Sequence, residues 1–242
     1  MSEPKPIIST NPQLISYLTL RKTIGILGIT FPIALIIGSV VLFGCQEVQG
    51  SISAYYHTDM RNLFVGVLCA IGLFLFTYTG YDSTDATAGN IACLFALGVA
   101  FCPTSYGGPI NSCISELHPD GIISTIHFIS AAGLFLTLAF FSICRFTKTT
   151  KKPESCWKRL QIKKYEHRAT GRKLIRNRIY IACGLIMIAC ILMIGVYKML
   201  GSTAAGEALS KVKPVFWLET LALWAFGVSW LTKGRTIFKD KA

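Results

Sequence analysis

The sequence predicts an all-α polytopic membrane protein with six transmembrane helices and both termini in the cytoplasm. Three observations lead to this fold class. Hydrophobic residues make up 52% of the 242 residues and charged residues only 15%, whereas a soluble domain carries about 25% charged residues. The apolar residues form six long blocks, and most lysines and arginines lie in alternate connections between those blocks. An ordinary soluble domain, a collagen, a coiled coil and a disulfide-rich mini-protein are therefore excluded.

Each apolar block is long enough to cross a hydrocarbon core of about 30 Å as a helix. Asn90 and two glycines make the third block the weakest, whereas Pro103 and Pro214 indicate a helix end and a helix start. Helices are expected instead of barrel strands because apolar and polar residues do not alternate. No cleavable signal peptide is expected, since residues 1–20 are polar. The predicted spans are residues 24–43, 62–80, 86–104, 122–144, 179–200 and 214–232.

The distribution of positive charge predicts the orientation. Of the 24 lysines and arginines, 20 lie in the N-terminal tail, the connection between spans four and five, and the C-terminal tail, and 4 lie on the other side. Positively charged connections stay in the cytoplasm, so we expect a multi-pass protein of the cell membrane, with the bacterial inner membrane favoured. The predicted division of the chain is a cytoplasmic tail 1–23, spans one to four in 24–144, a basic loop 145–178, spans five and six in 179–232 and a cytoplasmic tail 233–242.

The basic loop 145–178 carries 13 basic and 2 acidic residues. The orientation rule already accounts for these charges, and we expect the loop to lie against anionic lipid head groups. Trp157, Leu160 and Tyr165 among the lysines are typical of an interfacial segment. Nucleic acid is not an expected partner, and the sequence leaves the oligomeric state open.

Nine cysteines are distributed over the spans and both faces of the membrane. Cys45, Cys102 and Cys113 lie on the outer side, where the simplest intramolecular disulfide would join Cys102 to Cys113. Cys144 and Cys156 are expected in the reducing cytoplasm as thiols. No pair has the C-x-x-C spacing of a redox motif or a zinc ribbon.

Polar residues gather at the outer ends of the predicted spans. His127 and Glu219 each lie about five residues, or about 7 Å, inside their spans and therefore at similar depth. His57 just precedes span two, and Ser53 lies one turn before it on the same face, if span two extends outward as a helix. Ionisable groups at such positions are costly and usually functional. A separate acidic pair, Asp82 and Asp85, lies between spans two and three. The N-cap of span three is expected to be Ser83, Thr84 or Asp85, with carboxylates favoured at the positive end of that helix.

Two interpretations of the outer polar site remain open. It is either a structural cluster in which His127 pairs with Glu219, or a metal site with His57, His127 and Glu219 as ligands. Imidazole and carboxylate suit zinc, which would hold a water in its open position. In the second interpretation Ser53 and Glu219 are the candidate catalytic residues.

Four segments carry a resemblance that covers most of the chain: SISAYYHTDMRNLFVGVLCAIGLFLF, AGNIACLFALGVAFCPT, HFISAAGLFLTLAFFS and PVFWLETLALWAFGVSWL. Through them the sequence resembles an uncharacterised bacterial family of six-helix integral membrane proteins. This resemblance implies the same six-helix fold and no particular activity.

A second, local resemblance rests on Ser53-x-x-x-His57-Thr58. It is similar to the serine–histidine motif of the CREST superfamily, which includes alkaline ceramidases and progestin/adiponectin-type receptors. The resemblance implies a zinc-dependent hydrolase of lipid amides, with His57 as a ligand and Ser53 positioning water. The sequence lacks the late paired histidines of that superfamily and has six predicted spans instead of seven. His127 and Glu219 would have to supply the remaining ligands.

The sequence therefore predicts an integral membrane protein with an outward-facing His/Glu/Ser site. One functional hypothesis is a metal-dependent lipid or amide hydrolase. The other is a non-enzymatic transporter, channel or assembly factor whose polar cluster is structural.

Overall fold

The structure is a computed structural model of the 242-residue chain. It describes residues 12–78, 80, 82–106, 113–114, 121–148, 171–201 and 203–234. Most of the basic loop 145–178, with Cys156, Trp157 and Tyr165, lies outside the described residues.

Helices account for nearly all of the described chain, and no strand occurs there beyond an isolated bridge between Thr58 and Ile114. A short 3₁₀ helix, Ser53–His57, precedes the second long helix. The α-helices are α1 Pro12–Phe43, α2 Arg61–Phe76, α3 Ser83–Phe101, α4 Ile122–Phe140 with a π-helical turn Phe141–Arg145, α5 Gly171–Leu200, α6 Ala204–Ser210 and α7 Pro214–Lys233.

Five helices in the described part of the chain are long and apolar enough to cross a membrane. They are the apolar stretches Tyr17–Phe43, Ser83–Phe101, Ile122–Arg145, Lys173–Leu200 and Pro214–Lys233. These confirm the prediction of an all-α, multi-pass membrane protein. The second predicted span, residues 62–80, corresponds to α2, which has only 16 residues and is about 24 Å long. A sixth span therefore remains a prediction.

The six long helices form a closed ring. Each of α1 to α4 packs on the next helix along the chain. Helix α5 packs on α7, and α7 packs on α1, which closes the ring. Glycines permit the close approach of α1 and α7, because a Cβ on Gly227 would lie 2.7 Å from the backbone oxygen of Gly25. A Cβ on Gly28 would likewise lie 2.7 Å from the ring of Phe226. The first and last long helices are thus tightly joined.

Consecutive long helices run in opposite directions, so the ring has two distinct ends. We call the end formed by residues 44–60, 102–106, 113–114, 201 and 203–213 the cap end, and the opposite end the Asp82 end. Gly234, just after α7, lies beside Lys22 of α1 at the Asp82 end.

Acidic and basic side chains meet at the Asp82 end. Asp82 is the N-cap of α3 and accepts a hydrogen bond from the Asp85 backbone N–H at 3.3 Å. The Arg145 guanidinium donates to both carboxylates, and Lys148 donates to Asp82 at 2.6 Å. The N-cap of α3 is thus Asp82, which lies one to three residues before the expected candidates. Ion pairs that the sequence spacing did not indicate join this cap to α4.

A buried arginine lies at the same end. Arg21 is 8% exposed, stacks on the Tyr17 ring at 4.0 Å and donates to the hydroxyls of Tyr17 and Tyr78. Tyr78 in turn packs edge-on against Trp230 of α7. Aromatic and hydroxyl partners therefore accommodate this guanidinium at the edge of α1.

Candidate functional site

Several covalent and hydrogen-bonded links hold the cap end together. A disulfide joins Cys45, after α1, to Cys113, before α4. The adjacent bridge between Thr58 and Ile114 ties the same two segments. The Lys213 ammonium donates to the Val48 carbonyl at 2.5 Å. We call residues 44–60 and 102–106 the cap; these links tie it to the segment before α4 and to the start of α7.

This disulfide corrects the predicted Cys102–Cys113 pairing. Cys102 is a free thiol that follows α3 directly, whereas Cys45 lies with its Cα 5.8 Å from that of Cys113. The choice among Cys45, Cys102 and Cys113 depends on where the loops fold back, which sequence order does not specify. Cys144, which was expected to be a thiol in the reducing cytoplasm, is also disulfide-bonded. The expected location therefore did not predict its oxidation state.

A cavity of about 740 Å³ opens at the cap end between α4, α5 and α7. Residues 47–51, 53–54 and 104–106 form part of its wall, so the cap covers it. Its volume lies within the range of about 300–1,000 Å³ that is typical of small-ligand sites. Three sequence-predicted site residues line it: Ser53, His127 and Glu219.

The polarity of the cavity changes with depth. Near the mouth, its wall includes Lys198 and Lys213, with Glu47 in the cap. Further into the ring, the wall is apolar and contains Phe135 of α4 and Ile191 of α5. Burial raises the pKa of the Tyr106 hydroxyl at the mouth, so this phenol stays protonated at neutral pH and can donate a hydrogen bond. The cavity therefore has a polar entrance and an apolar interior.

The Glu219 carboxylate caps the N-terminus of the 3₁₀ helix. Its Oε2 accepts a hydrogen bond from the Ile52 backbone N–H at 2.5 Å, and the Ser53 N–H lies beside it. The first N–H groups of a helix have no partner within the helix. A carboxylate from α7 supplies one, so Glu219 anchors the cap as well as lining the cavity.

The two candidate histidines bond to backbone carbonyls of one segment. His57 donates from Nε2 to the Thr104 oxygen at 2.7 Å, and His127 donates from Nδ1 to the Cys102 oxygen at 2.6 Å. His57 is fully buried, and its ring packs against Tyr106 at 5.4 Å. Both rings therefore fix the chain after α3, and only His127 of the two lines the cavity.

The expected placement of Ser53 and His57 on an outward extension of span two is wrong. They begin and end a separate 3₁₀ helix, and α2 starts only at Arg61. In a 3₁₀ helix the side chains at i and i+3 align, so Ser53 and His57 do not share a face. The Ser53 hydroxyl lies 3.2 Å from that of Ser51 instead.

The described residues do not fit the predicted zinc site. They include no group of three histidine, cysteine, aspartate or glutamate side chains arranged to hold a metal. The Glu219 carboxylate accepts from the backbone, and no hydrogen bond or ion pair between it and His127 occurs in this part of the chain. The predicted His127–Glu219 pair is thus replaced by two separate bonds to the backbone.

Sequence reasoning missed Lys198 as a site residue. It lies at the cap end of α5, at the mouth of the cavity, with its ammonium 4.8 Å from the centre of the Phe128 ring. Its position in the last turn of an apolar span was a signal in the sequence. A charged side chain within a membrane span is costly and is usually functional.

Comparisons of the chain with protein-family models, with curated proteins and with solved structures find no match. The function is therefore argued from the cavity alone.

Proposed function

We propose that the protein is a six-span protein of the cell membrane that binds an amphiphilic ligand in the cavity at its cap end. In this proposal α2 is the sixth span, both termini are cytoplasmic and the cavity faces outward. The single observation that carries the binding function is the cavity itself, with its polar entrance and an apolar interior between membrane-crossing helices.

The orientation rests on charge. The Asp82 end includes Arg21, Lys22, Arg145, Lys148 and Lys233, and positive residues stay on the cytoplasmic side. Disulfides do not distinguish the two faces, because Cys45 lies at the cap end and Cys144 at the Asp82 end.

The geometry supports binding over metal-dependent hydrolysis. Ser53 lies next to another serine, not next to a histidine base, and Glu219 is engaged by the cap backbone. A hydrolase would need a nucleophile or activated water within hydrogen-bond reach of a base. The side chains of the site instead hold the cap in place above an apolar chamber.

The test is photolabelling of the purified protein in nanodiscs of zwitterionic lipid. The probe is an alkyl-chain amphiphile with a diazirine near the chain end, and labelled peptides are mapped by mass spectrometry. We expect labelling in the parts of α4 and α5 that contain Phe135 and Ile191. Ala132→Phe, which fills the cavity wall, should abolish most of it.

Ile129→Phe is the matched control, because Ile129 lies on the same helix and is 61% exposed. It should leave the labelling unchanged. Labelling spread evenly over the outer faces of all helices, and insensitive to Ala132→Phe, would contradict the proposed function.

A further inference from the structure

The two lysines at the cavity mouth have different surroundings. Lys213 donates to the Val48 carbonyl and lies 3.6 Å from the Glu47 carboxylate. Lys198 lies against the Phe128 ring and interacts electrostatically with the Glu219 carboxylate, but within the described residues its ammonium donates no hydrogen bond to a carboxylate or a carbonyl. A ring face replaces only part of the hydration of an ammonium. Lys198 is therefore the cation at the mouth that is still able to bind an acceptor.

The two acids that line the cavity are already engaged. Glu219 accepts from the start of the 3₁₀ helix, and Glu47 faces Lys213. Glu219 therefore offsets part of the Lys198 charge through space, but it occupies none of the N–H donors of that ammonium. A ligand head that accepts hydrogen bonds from these donors binds most strongly when it is an anion.

The apolar wall continues inward from the same point. Ile191 lies seven residues before Lys198 on α5, about 10 Å further into the ring. Phe135 lies eight residues after His127 on α4, about 12 Å further in. A head at Lys198 therefore places an attached chain along Ile191 and Phe135.

We propose that the ligand is an anionic amphiphile, with its acidic head bound to Lys198 and its alkyl chain in the apolar part of the cavity. This inference rests on the proposed function and adds the charge of the ligand and the residue that recognises it. A free carboxylate and a phosphate monoester present the same chemistry to an ammonium, so the experiment includes both heads.

The experiment is competition against the diazirine amphiphile in the same nanodiscs. The competitors are a carboxylate, a phosphate monoester and an alcohol with one identical saturated chain. We expect an anionic competitor to bind at least about tenfold more tightly than the alcohol, because a charge-assisted hydrogen bond is lost with the neutral head. The anion that binds more tightly identifies the source of the ligand.

Lys198→Gln should remove this preference, and Lys198→Arg should keep most of it. Lys211→Gln is the matched control, since Lys211 is an exposed lysine at the same end that does not line the cavity. If the probe labels the cavity but the alcohol competes as well as the anions, or if Lys198→Gln retains the preference, the inference is overturned and ligand binding stands. If the probe does not label the cavity, the proposed function itself fails.

Discussion

Arg145 bridges two acidic residues at the Asp82 end, and one of them is deeply buried. The Asp85 carboxylate is only 1% exposed and receives its charge partner from Arg145. Breaking a buried ion pair leaves an uncompensated charge, which costs about 3–5 kcal/mol. We therefore expect Arg145→Met to destabilise the protein strongly, and Asp85→Asn to recover part of the loss in the double variant. Reversible unfolding in mixed micelles measures this double-mutant cycle. Equal loss in the single and double variants would contradict the pairing.

Asp82 carries a pH dependence at the same site. Hydrogen bonds from Arg145 and then Lys148 hold the pKa of the Asp82 carboxyl well below its usual range. The stabilisation from a lowered pKa is present above the unfolded value, about 3.9, and is lost as the pH falls through the lowered value. The carboxyl is 37% exposed, so solvent limits the contribution to about 1 kcal/mol or less.

Asp82→Asn should thus lower the thermal midpoint at pH 6, and the difference from the unchanged protein should shrink below about pH 4. Asparagine still caps a helix, so the substitution tests charge alone. Asp59→Asn is the control, because Asp59 is exposed and makes no ion pair within the described chain. A difference that does not vary with pH would exclude the ion pair as its cause.

For individual side chains, the sequence indicated where polar residues gather but not which groups they contact. Ser53, His127 and Glu219 line one cavity, whereas His57, which was expected in the same cluster as His127 and Glu219, does not. Their partners are backbone groups of the cap, which are set by how the loops fold over the ring. Lys198 was overlooked because one cation at a helix end has no distinctive spacing.

Among the helices, the contact between α1 and α7 depends on glycine. A Cβ on Gly227 would meet the Ile29 side chain at 2.5 Å and the Gly25 backbone oxygen at 2.7 Å. A backbone atom cannot move aside cheaply, so Gly227→Ala should cost about 1–3 kcal/mol through overpacking. Gly66→Ala in α2 is the matched control, because nothing lies within 4 Å of its Cβ position. We expect that change to be neutral or slightly stabilising in the same unfolding measurement.

The disulfide at the cap end should stabilise the elements that cover the cavity. Cys45 and Cys113 are 68 residues apart in sequence, and the chain-entropy model assigns a link of this length about 4 kcal/mol. Cys45→Ser should therefore lower the thermal midpoint and weaken photolabelling of the cavity. Cys102→Ser removes a free thiol near the same loop and should have little effect. A non-reducing peptide map that joins Cys102 to Cys113 would contradict this assignment.

Element type was predictable because the length of an apolar run is a local property of the sequence. Five of the predicted spans overlap helices long enough to cross a membrane. The length of the second span was overestimated, because α2 ends at Phe76 and the following Thr77 and Tyr78 turn back toward the ring. Tyr78, which the predicted span includes, lies after the helix and accepts a hydrogen bond from Arg21 at its hydroxyl.

For the molecule as a whole, the proposed topology places residues 145–178 and both tails in the cytoplasm. Reporter fusions after residue 242, and epitope tags inserted within 150–170 or 107–112, test it in sealed cells. The tag within 107–112 should be accessible from outside, and the other two sites only after the membrane is opened. Replacing several lysines of the basic loop by glutamine should weaken this orientation without affecting ligand binding. External access to the 150–170 tag would reverse the orientation and place the cavity on the cytoplasmic face.

The glycine contact between α1 and α7 has a consequence for biosynthesis. A ribosome delivers α1 to the membrane first and α7 last among the described helices. The glycine face of α1 therefore contacts lipid until α7 is synthesised. Until α7 arrives, the ring is open along that seam, and Glu219 is absent from the start of the 3₁₀ helix. The packing of α7 on α1 and the hydrogen bond from the cap to Glu219 therefore form together, late in synthesis. Nascent chains that stop before residue 214 lack both, which makes them open bundles that membrane quality-control proteases can recognise.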